Sequence, residues 1–469
     1  MLFYGAGMIF KQLYLGCLAH ASYIIADGGE AAVVDPQRDV DEYIDFARDN
    51  GLTIKYIIET HIHADFVSGH NELAKKTGAR IVFSEKARAH VDHIAVADGD
   101  TLRLGSIDLK ILATPGHTPE SICVLIDACK PPKLMTWDTL FIGDVGRPDL
   151  AANSDADSSD MAAQLYDSLH SKIMTLPDET EIYPAHGAGS LCGKNISQDR
   201  MSTLGIQKQF NWALKARSKQ EFVETLTRDL PEVPAYFKRA VAHNKKGAVA
   251  LDELHSPQAV SPDGLNGYQI LDTRDSACFG EGHIAGAINI GLDGQFASWC
   301  GILLDLDQPI CLVAADEESQ GEALIRLSRA GIENVTALIA PEDLKQYLEA
   351  GKGVSLPQMT VAQLADRIAG DSAFASNILD VRRPGEYSQG HIAGTRNISL
   401  AELKANLQQL REHRPIAIIC QGGYRSSMAA SILMANGFTD LINVRGGFGA
   451  WKKEGFPITL ESPGVVCSN

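Results

Sequence analysis

Thr60-His61-Ile62-His63-Ala64-Asp65-Phe66 places two histidines and an aspartate at alternate positions, directly after the apolar run Ile54–Ile58. Such a run reads as a buried strand, so the His-x-His-x-Asp group sits on the loop at that strand's carboxyl end, where open α/β sheets place their chemistry. Three more ligand types follow, each beside a glycine: His117 in Thr114-Pro115-Gly116-His117-Thr118, Asp144 in Gly143-Asp144-Val145-Gly146-Arg147, and His186 in Pro184-Ala185-His186-Gly187. One histidine in a loop is ordinarily just a hydrogen-bonded residue. Six ligand types in this order, each next to a turn, point to a metal centre.

The 469 residues suffice for two to four domains, each with its own core. An apolar share of 45% and a charged share of 22% are those of an ordinary globular chain. A net charge of −17 argues against nucleic acid and anionic membrane as partners, since both recruit basic patches. The start, Met1-Leu2-Phe3-Tyr4-Gly5, lacks the basic and apolar regions of a signal peptide, and no apolar run reaches bilayer length. Nine cysteines without framework spacing read as reduced thiols, and a cytoplasmic location is expected.

The histidine and aspartate pattern resembles the metallo-β-lactamase superfamily, whose strand-end loops gather such residues around one or two metal ions. That resemblance implies an αββα sandwich. In its dinuclear hydrolases a histidine follows the aspartate and serves the second metal; here Phe66 takes that position, so a mononuclear centre is expected. Resemblance to the persulfide dioxygenases then selects His61, His117 and Asp144 as ligands of one Fe(II) per chain. It leaves His63, Asp65 and His186 to orient those ligands or to bind substrate and water. Two imidazoles and a carboxylate leave open positions for oxygen chemistry at iron, although zinc accepts similar ligands.

The second half repeats itself. Leu271-Asp272-Thr273-Arg274 with Gly282-His283-Ile284-Ala285-Gly286-Ala287-Ile288-Asn289 returns as Leu379-Asp380-Val381-Arg382 with Gly390-His391-Ile392-Ala393-Gly394-Thr395-Arg396-Asn397. A repeat of this length is a duplicated domain, and each copy alternates short apolar strands with helical stretches, as in a parallel α/β sheet. These signatures resemble rhodanese domains. The expected organisation is a metal domain over residues 1–245, a degenerate rhodanese-like domain over 246–356 and an active one over 357–469, the last two doubly wound. The tail of the first, from about Asn195, reads as helical with breaks at Pro231 and Pro234. Asn244-Lys245-Lys246-Gly247 and Leu356-Pro357-Gln358-Met359 read as the two junctions.

In the last domain the apolar strand Pro415–Ile419 runs into Cys420, then Gln421-Gly422-Gly423-Tyr424-Arg425-Ser426-Ser427 and the helix-forming Met428-Ala429-Ala430. A cysteine there lies under converging backbone N–H groups and a helix dipole, which favour a thiolate. The Cys-x4-Arg loop from Cys420 to Arg425 is the rhodanese length; the related phosphatases use one residue more. Cys420 is thus expected to carry a persulfide, cradled by Gln421, Gly422, Gly423, Tyr424 and Arg425. In the middle copy Ala314 holds that place and Asp316-Glu317-Glu318 fill the loop, so a spacer or docking role is expected. Cys311 lies inside the strand. Cys192, six residues beyond His186, is either a sulfur-handling thiol near the metal or a structural cysteine in a turn. Cys467 reads as a tail thiol.

The whole chain resembles fused persulfide dioxygenase–rhodanese proteins. That implies oxidation of a low-molecular-weight thiol persulfide by O2 to sulfite, with sulfur passing through Cys420 to form thiosulfate or to draw on it. Arg147 could clamp the carrier's carboxylate or could pair with Asp149. Glutathione, coenzyme A, cysteine or bacillithiol could be the carrier, and a homo-oligomer is expected by analogy. A glyoxalase II-like thioester hydrolase is the main alternative, but it needs two metals, and a rhodanese has no use in it. A sulfur carrier with a structural zinc site is a third reading, opposed by the absence of cysteine from the metal motifs.

Overall fold

The computed structural model describes residues 2–5, 7–150, 157–228, 230, 233–410 and 415–460. Pro231 and Cys467 therefore lie outside the described residues. The chain divides into two compact units, residues 1–254 with 325–333, and residues 255–324 with 334–469.

The first unit is built on two sheets. One has seven strands, in spatial order Leu2–Gly5, Met8–Leu15, His20–Asp27, Glu30–Val34, Thr53–Ile58, Arg80–Ser84 and Ile94–Val96. The other has six, from Ser202–Thr203 through Glu181–Tyr183, Lys133–Met135, Ile122–Ile126 and Ile107–Ala113 to Thr101–Leu104. Alternate residues of both, among them Phe10, Tyr23, Val34, Ile58, Leu109, Val124 and Met135, fill the core. A second core, with Leu134, Leu165, Ile182 and Phe222, seats the helices Ser158–Ser168 and Lys219–Thr227 on the outer face of the six-stranded sheet.

The helical tail is present as Leu204–Phe210, Lys219–Thr227 and Phe237–Lys246, the last of which follows Pro234. The first junction is not a linker. Asn244 is helical and fully buried: its Oδ1 accepts from Ser68 N at 2.8 Å, and its Nδ2 donates to His63 O and Phe66 O at 2.8 Å each. An amide with two donors and an acceptor pins the metal loop from behind, and its polar appearance in sequence hid that use.

In the second unit, two five-stranded parallel sheets share one order. They run Gln258–Ala259, Val335–Leu338, Ile310–Val313, Gln269–Asp272, Ile288–Asn289, and Gln358–Met359, Leu441–Val444, Ile416–Ile419, Ile378–Asp380, Arg396–Asn397. The second junction thus supplies an edge strand, Gln358 opposite Asn443. The repeated signatures prove structural. Arg274 and Arg382 each grip the aspartate two residues earlier and donate to Gly282 O and Gly390 O, both at 2.9 Å. His283 and His391 stack on Phe279 and Tyr387 with ring centroids 3.7 and 3.8 Å apart.

Candidate metal centre and cysteine loop

His61 stands three residues beyond the strand Thr53–Ile58. Asp35, at the end of the neighbouring strand, fixes it: Asp35 Oδ1 accepts from Thr60 N at 2.8 Å and Oδ2 accepts from Thr60 Oγ1 at 2.6 Å. The threonine proton being spent, Oγ1 accepts from His61 Nδ1 at 3.1 Å. His117 Nδ1 donates to Arg147 O at 2.8 Å and His186 Nδ1 to Ala19 O at 3.1 Å. All three imidazoles thereby carry their proton on Nδ1 and offer Nε2, as metal-binding histidines do.

The carboxylate they meet is that of Asp138. Its Oδ2 lies 3.3 Å from His117 Nε2, and its Oδ1 lies 3.5 Å from His186 Nε2. Asp138 is buried, and neither oxygen meets an N–H or O–H donor among the described residues. His61, His117 and Asp138 bring one ligand atom each within 4.8 Å of one another. A buried carboxylate facing imidazole lone pairs is costly unless a cation joins them, so these residues fit a metal ion.

Asp144, expected to complete the set, lies elsewhere; the carboxylate that stands with His61 and His117 is that of Asp138. Asp144 Oδ1 accepts from Trp212 Nε1 at 2.9 Å, while Oδ2 accepts from Lys194 N at 2.8 Å and Asn195 N at 2.7 Å. Its lone pairs are consumed in holding the loop after His186. Gly146, two residues on, is required by packing: a Cβ there would stand 2.0 Å from Asp138 O and 2.9 Å from His117 Nδ1.

Phe66 is buried, with its ring centroid 4.1 Å from that of His20 and 4.4 Å from that of His63. His63 faces Asp35, Nε2 to Oδ1 2.9 Å. Burial favours the neutral ring of His63, but Asp35, with Glu59 and Asp65, outweighs it and raises the pKa to about 9. A second donor group, Asp65, His186 and Cys192, also brings one ligand atom each within 4.8 Å of one another, with Asp65 Oδ2 3.3 Å from His186 Nε2. Burial, followed by the charges of Asp65 and Asp138, pushes the Cys192 thiol well up. Arg147 takes the salt-bridge alternative: it is buried and grips Asp149 at 2.7 and 2.6 Å.

Three of the five non-glycine residues with positive φ among the described residues adjoin this centre: Ala19, Asp35 and Trp137, at +50°, +47° and +42°. Each costs on the order of 1–3 kcal/mol, a concentration of strain typical of functional sites.

Cys420 ends the strand Ile416–Ile419, and the helix Tyr424–Ala435 begins four residues later. Gly423 N donates to Cys420 Sγ at 3.1 Å, and Ser426 Oγ lies 3.6 Å from that sulfur. Gln421 and Gly422 are exposed, so the loop opens to solvent above the buried sulfur. Arg425 pairs with Glu386 through bonds of 2.6 and 2.7 Å. Phe448 N and Gly449 N donate to Cys420 O and Gln421 O, at 2.7 and 2.8 Å. Gly447, at φ +59°, permits this approach, because a Cβ there would stand 2.4 Å from Cys420 O. The sequence reading missed Glu386 and Gly447; the run Arg445-Gly446-Gly447 after an apolar strand was the available signal. In the middle copy Asp316 Oδ1 accepts from Ser319 N and Oγ, at 2.7 and 2.6 Å, and so fills the matching loop with negative charge.

A sandwich with a histidine–carboxylate centre at its strand ends, followed by twin parallel-sheet domains of which one keeps a cysteine loop, defines a metal-binding enzyme joined to a sulfur-transfer fold. The chain belongs to the metallo-beta-lactamase superfamily, which residues 15–186 match, and carries two rhodanese-like domains, at residues 256–340 and 360–454. The mitochondrial persulfide dioxygenase ETHE1 of Homo sapiens is 30% identical over 200 residues, covering 42% of this chain and 75% of that protein. A hydroxyacylglutathione hydrolase of Nitrosococcus oceani is 30% identical over 258 residues, covering 48% and 94%. The crystal structure of a metallo-beta-lactamase from Staphylococcus aureus subsp. aureus COL superposes with a TM-score of 0.65 at 37% identity, covering 71% of this chain and 99% of that one. No helix among the described residues is long and apolar enough to cross a membrane.

Proposed function

We propose that the chain is a persulfide dioxygenase fused to a sulfurtransferase, with one Fe(II) held by His61, His117 and Asp138. The observation that carries this reading is the donor set itself. Two Nε2 atoms and a carboxylate without an N–H or O–H donor form the two-histidine, one-carboxylate group that suits non-haem iron, and the apolar ring of Phe66 packs on His63, whose ring in turn lies against His61. When bound, the iron supplies the redox chemistry by which O2 oxidises sulfur. The protein's part is to present three fixed ligands and leave the remaining positions open. It also offers Asp65 and His186 as neighbours for water and the persulfide's outer sulfur.

The balance is persulfide plus O2 plus water giving thiol, sulfite and two protons. In this reading Asp65 and His186, 3.3 Å apart, take up the protons of that water. Burial first, then the charges of Asp65 and Asp138, holds the Cys192 thiol in its protonated form, so it serves as a neutral neighbour of the centre. Cys420, once charged with sulfane sulfur, passes it to sulfite; thiosulfate leaves and the Cys420 thiolate returns. The joined chain keeps a reactive product at high effective concentration for the second step. The middle copy takes no chemical part.

Asp65, His186 and Cys192 favour a second reading, a dinuclear thioester hydrolase of the hydroxyacylglutathione hydrolase kind, because they could hold another cation. The test is O2 uptake and sulfite release by iron-loaded protein given glutathione persulfide, beside hydrolysis of a glutathione thioester. Persulfide-dependent uptake without thioesterase activity supports the proposal; thioester hydrolysis without uptake overturns it.

A further inference from the structure

The middle copy has lost its cysteine but not its contact with the helix that serves Cys420. Asn289, in the short strand Ile288–Asn289, engages both atoms of its side-chain amide and its backbone N–H. Its Nδ2 donates to Asp272 O at 3.1 Å and Arg274 O at 2.8 Å within its own copy. Across to the last copy, its Oδ1 accepts from Ser427 Oγ at 2.6 Å, and its backbone N donates to Ser431 Oγ at 3.0 Å. Two residues on, Gly291 O accepts from Tyr424 OH at 2.9 Å.

Tyr424, Ser427 and Ser431 lie three and four residues apart on the helix Tyr424–Ala435, hence on one face of it. Asn289, Ser427 and Ser431 are buried, so these bonds do not compete with water. The same helix opens directly after Gly423, whose N–H reaches the Cys420 sulfur. The field of a helix terminus falls off within one turn, so the aim of that first turn decides how strongly it favours a thiolate.

We propose that the middle copy is a positioning element for sulfur transfer. Asn289 and the Gly291 carbonyl hold the helix Tyr424–Ala435 so that its first amides stay aimed at Cys420. Asn289 is a positioning residue in this scheme and touches no substrate. The Asp272–Arg274–Asn289 lock, which recurs as Asp380–Arg382–Asn397, fixes Asn289 in its own copy and so makes it a rigid seat for the helix. The inference rests on the reading of Cys420 as the sulfur carrier.

The test uses the full chain with Asn289→Ala, Ser427→Ala and the double variant. Two readouts are taken: thiosulfate-to-cyanide sulfur transfer, and the pH profile of Cys420 alkylation by iodoacetamide, followed on its own peptide. Ser427→Ala leaves Asn289's bonds within its own copy intact, so it remains informative if Asn289→Ala unfolds that copy. Each single variant is expected to lower kcat by about five- to tenfold, with KM changed less than about twofold, and to move the alkylation profile to higher pH. The double variant should be no worse than the more affected single one, because both remove the same bond. An unmoved alkylation profile and kcat in Ser427→Ala, in a wild type that transfers sulfur, overturns the inference. A wild type with neither transfer nor a reactive Cys420 removes the sulfurtransferase reading instead.

Discussion

Asp138 and Asp144 show what a residue's neighbours in sequence reveal and conceal. Asp144 sits between glycines in a run that invites a ligand assignment, yet three donors saturate it. Asp138 follows a strand of three residues, Lys133–Met135, with no glycine to mark a turn. The turn is made by Trp137 at positive φ, a conformation that no tryptophan advertises. The rule that pointed to His61, a candidate ligand at the carboxyl end of a strand, also covers Asp138, but a three-residue strand is too short to read. The two carboxylates therefore respond oppositely to amidation. Asp138→Asn should lose bound metal while making the metal-free protein more resistant to heat, because it removes a buried carboxylate that no N–H or O–H donor satisfies. Asp144→Asn should keep its metal and lose about 1–3 kcal/mol of stability. Metal content by mass spectrometry and thermal unfolding of both variants check this.

At the scale of elements, apolar runs and the duplicated signatures were readable because strand burial and the Asp-x-Arg lock depend on local sequence. What a polar segment docks against was not, as Asn244 and Glu386 show. Burial raises the pKa of Glu386, but the hydrogen bonds and charge of Arg425 more than reverse this and hold the carboxyl below its ordinary 4.5. The pair's stabilising contribution is accordingly present above about pH 4.5 and fades as the pH falls through the depressed folded-state value. The difference in thermal midpoint between wild type and Glu386→Gln should thus be largest near neutrality and shrink in acid. Thiols sort by element too. Burial pushes Cys311, inside its strand, up to about 12, and Cys123 up to about 11. At about pH 8 maleimide should label the exposed Cys278 well ahead of those two, which stay untouched in the folded chain, as peptide mapping would show.

At the scale of the whole molecule, sequence conveyed the order of domains and the loss of one nucleophile, because motif spacing survives duplication. It could not convey that the two rhodanese-like copies share one compact unit, since that arises from contacts such as Ser427 with Asn289. Two chemistries in one chain should separate by substitution. Cys420→Ser should abolish sulfur transfer and leave persulfide-dependent O2 uptake within about twofold, measured with an oxygen electrode on the same preparation.

The most direct test of the central claim, a single iron on His61, His117 and Asp138, is reconstitution of metal-free protein with measured increments of Fe(II) while following O2 uptake with glutathione persulfide. The account predicts activity that rises linearly, saturates at about one iron per chain and is absent from Asp138→Asn at every loading. Saturation at two metals per chain, or full activity in Asp138→Asn, would contradict it.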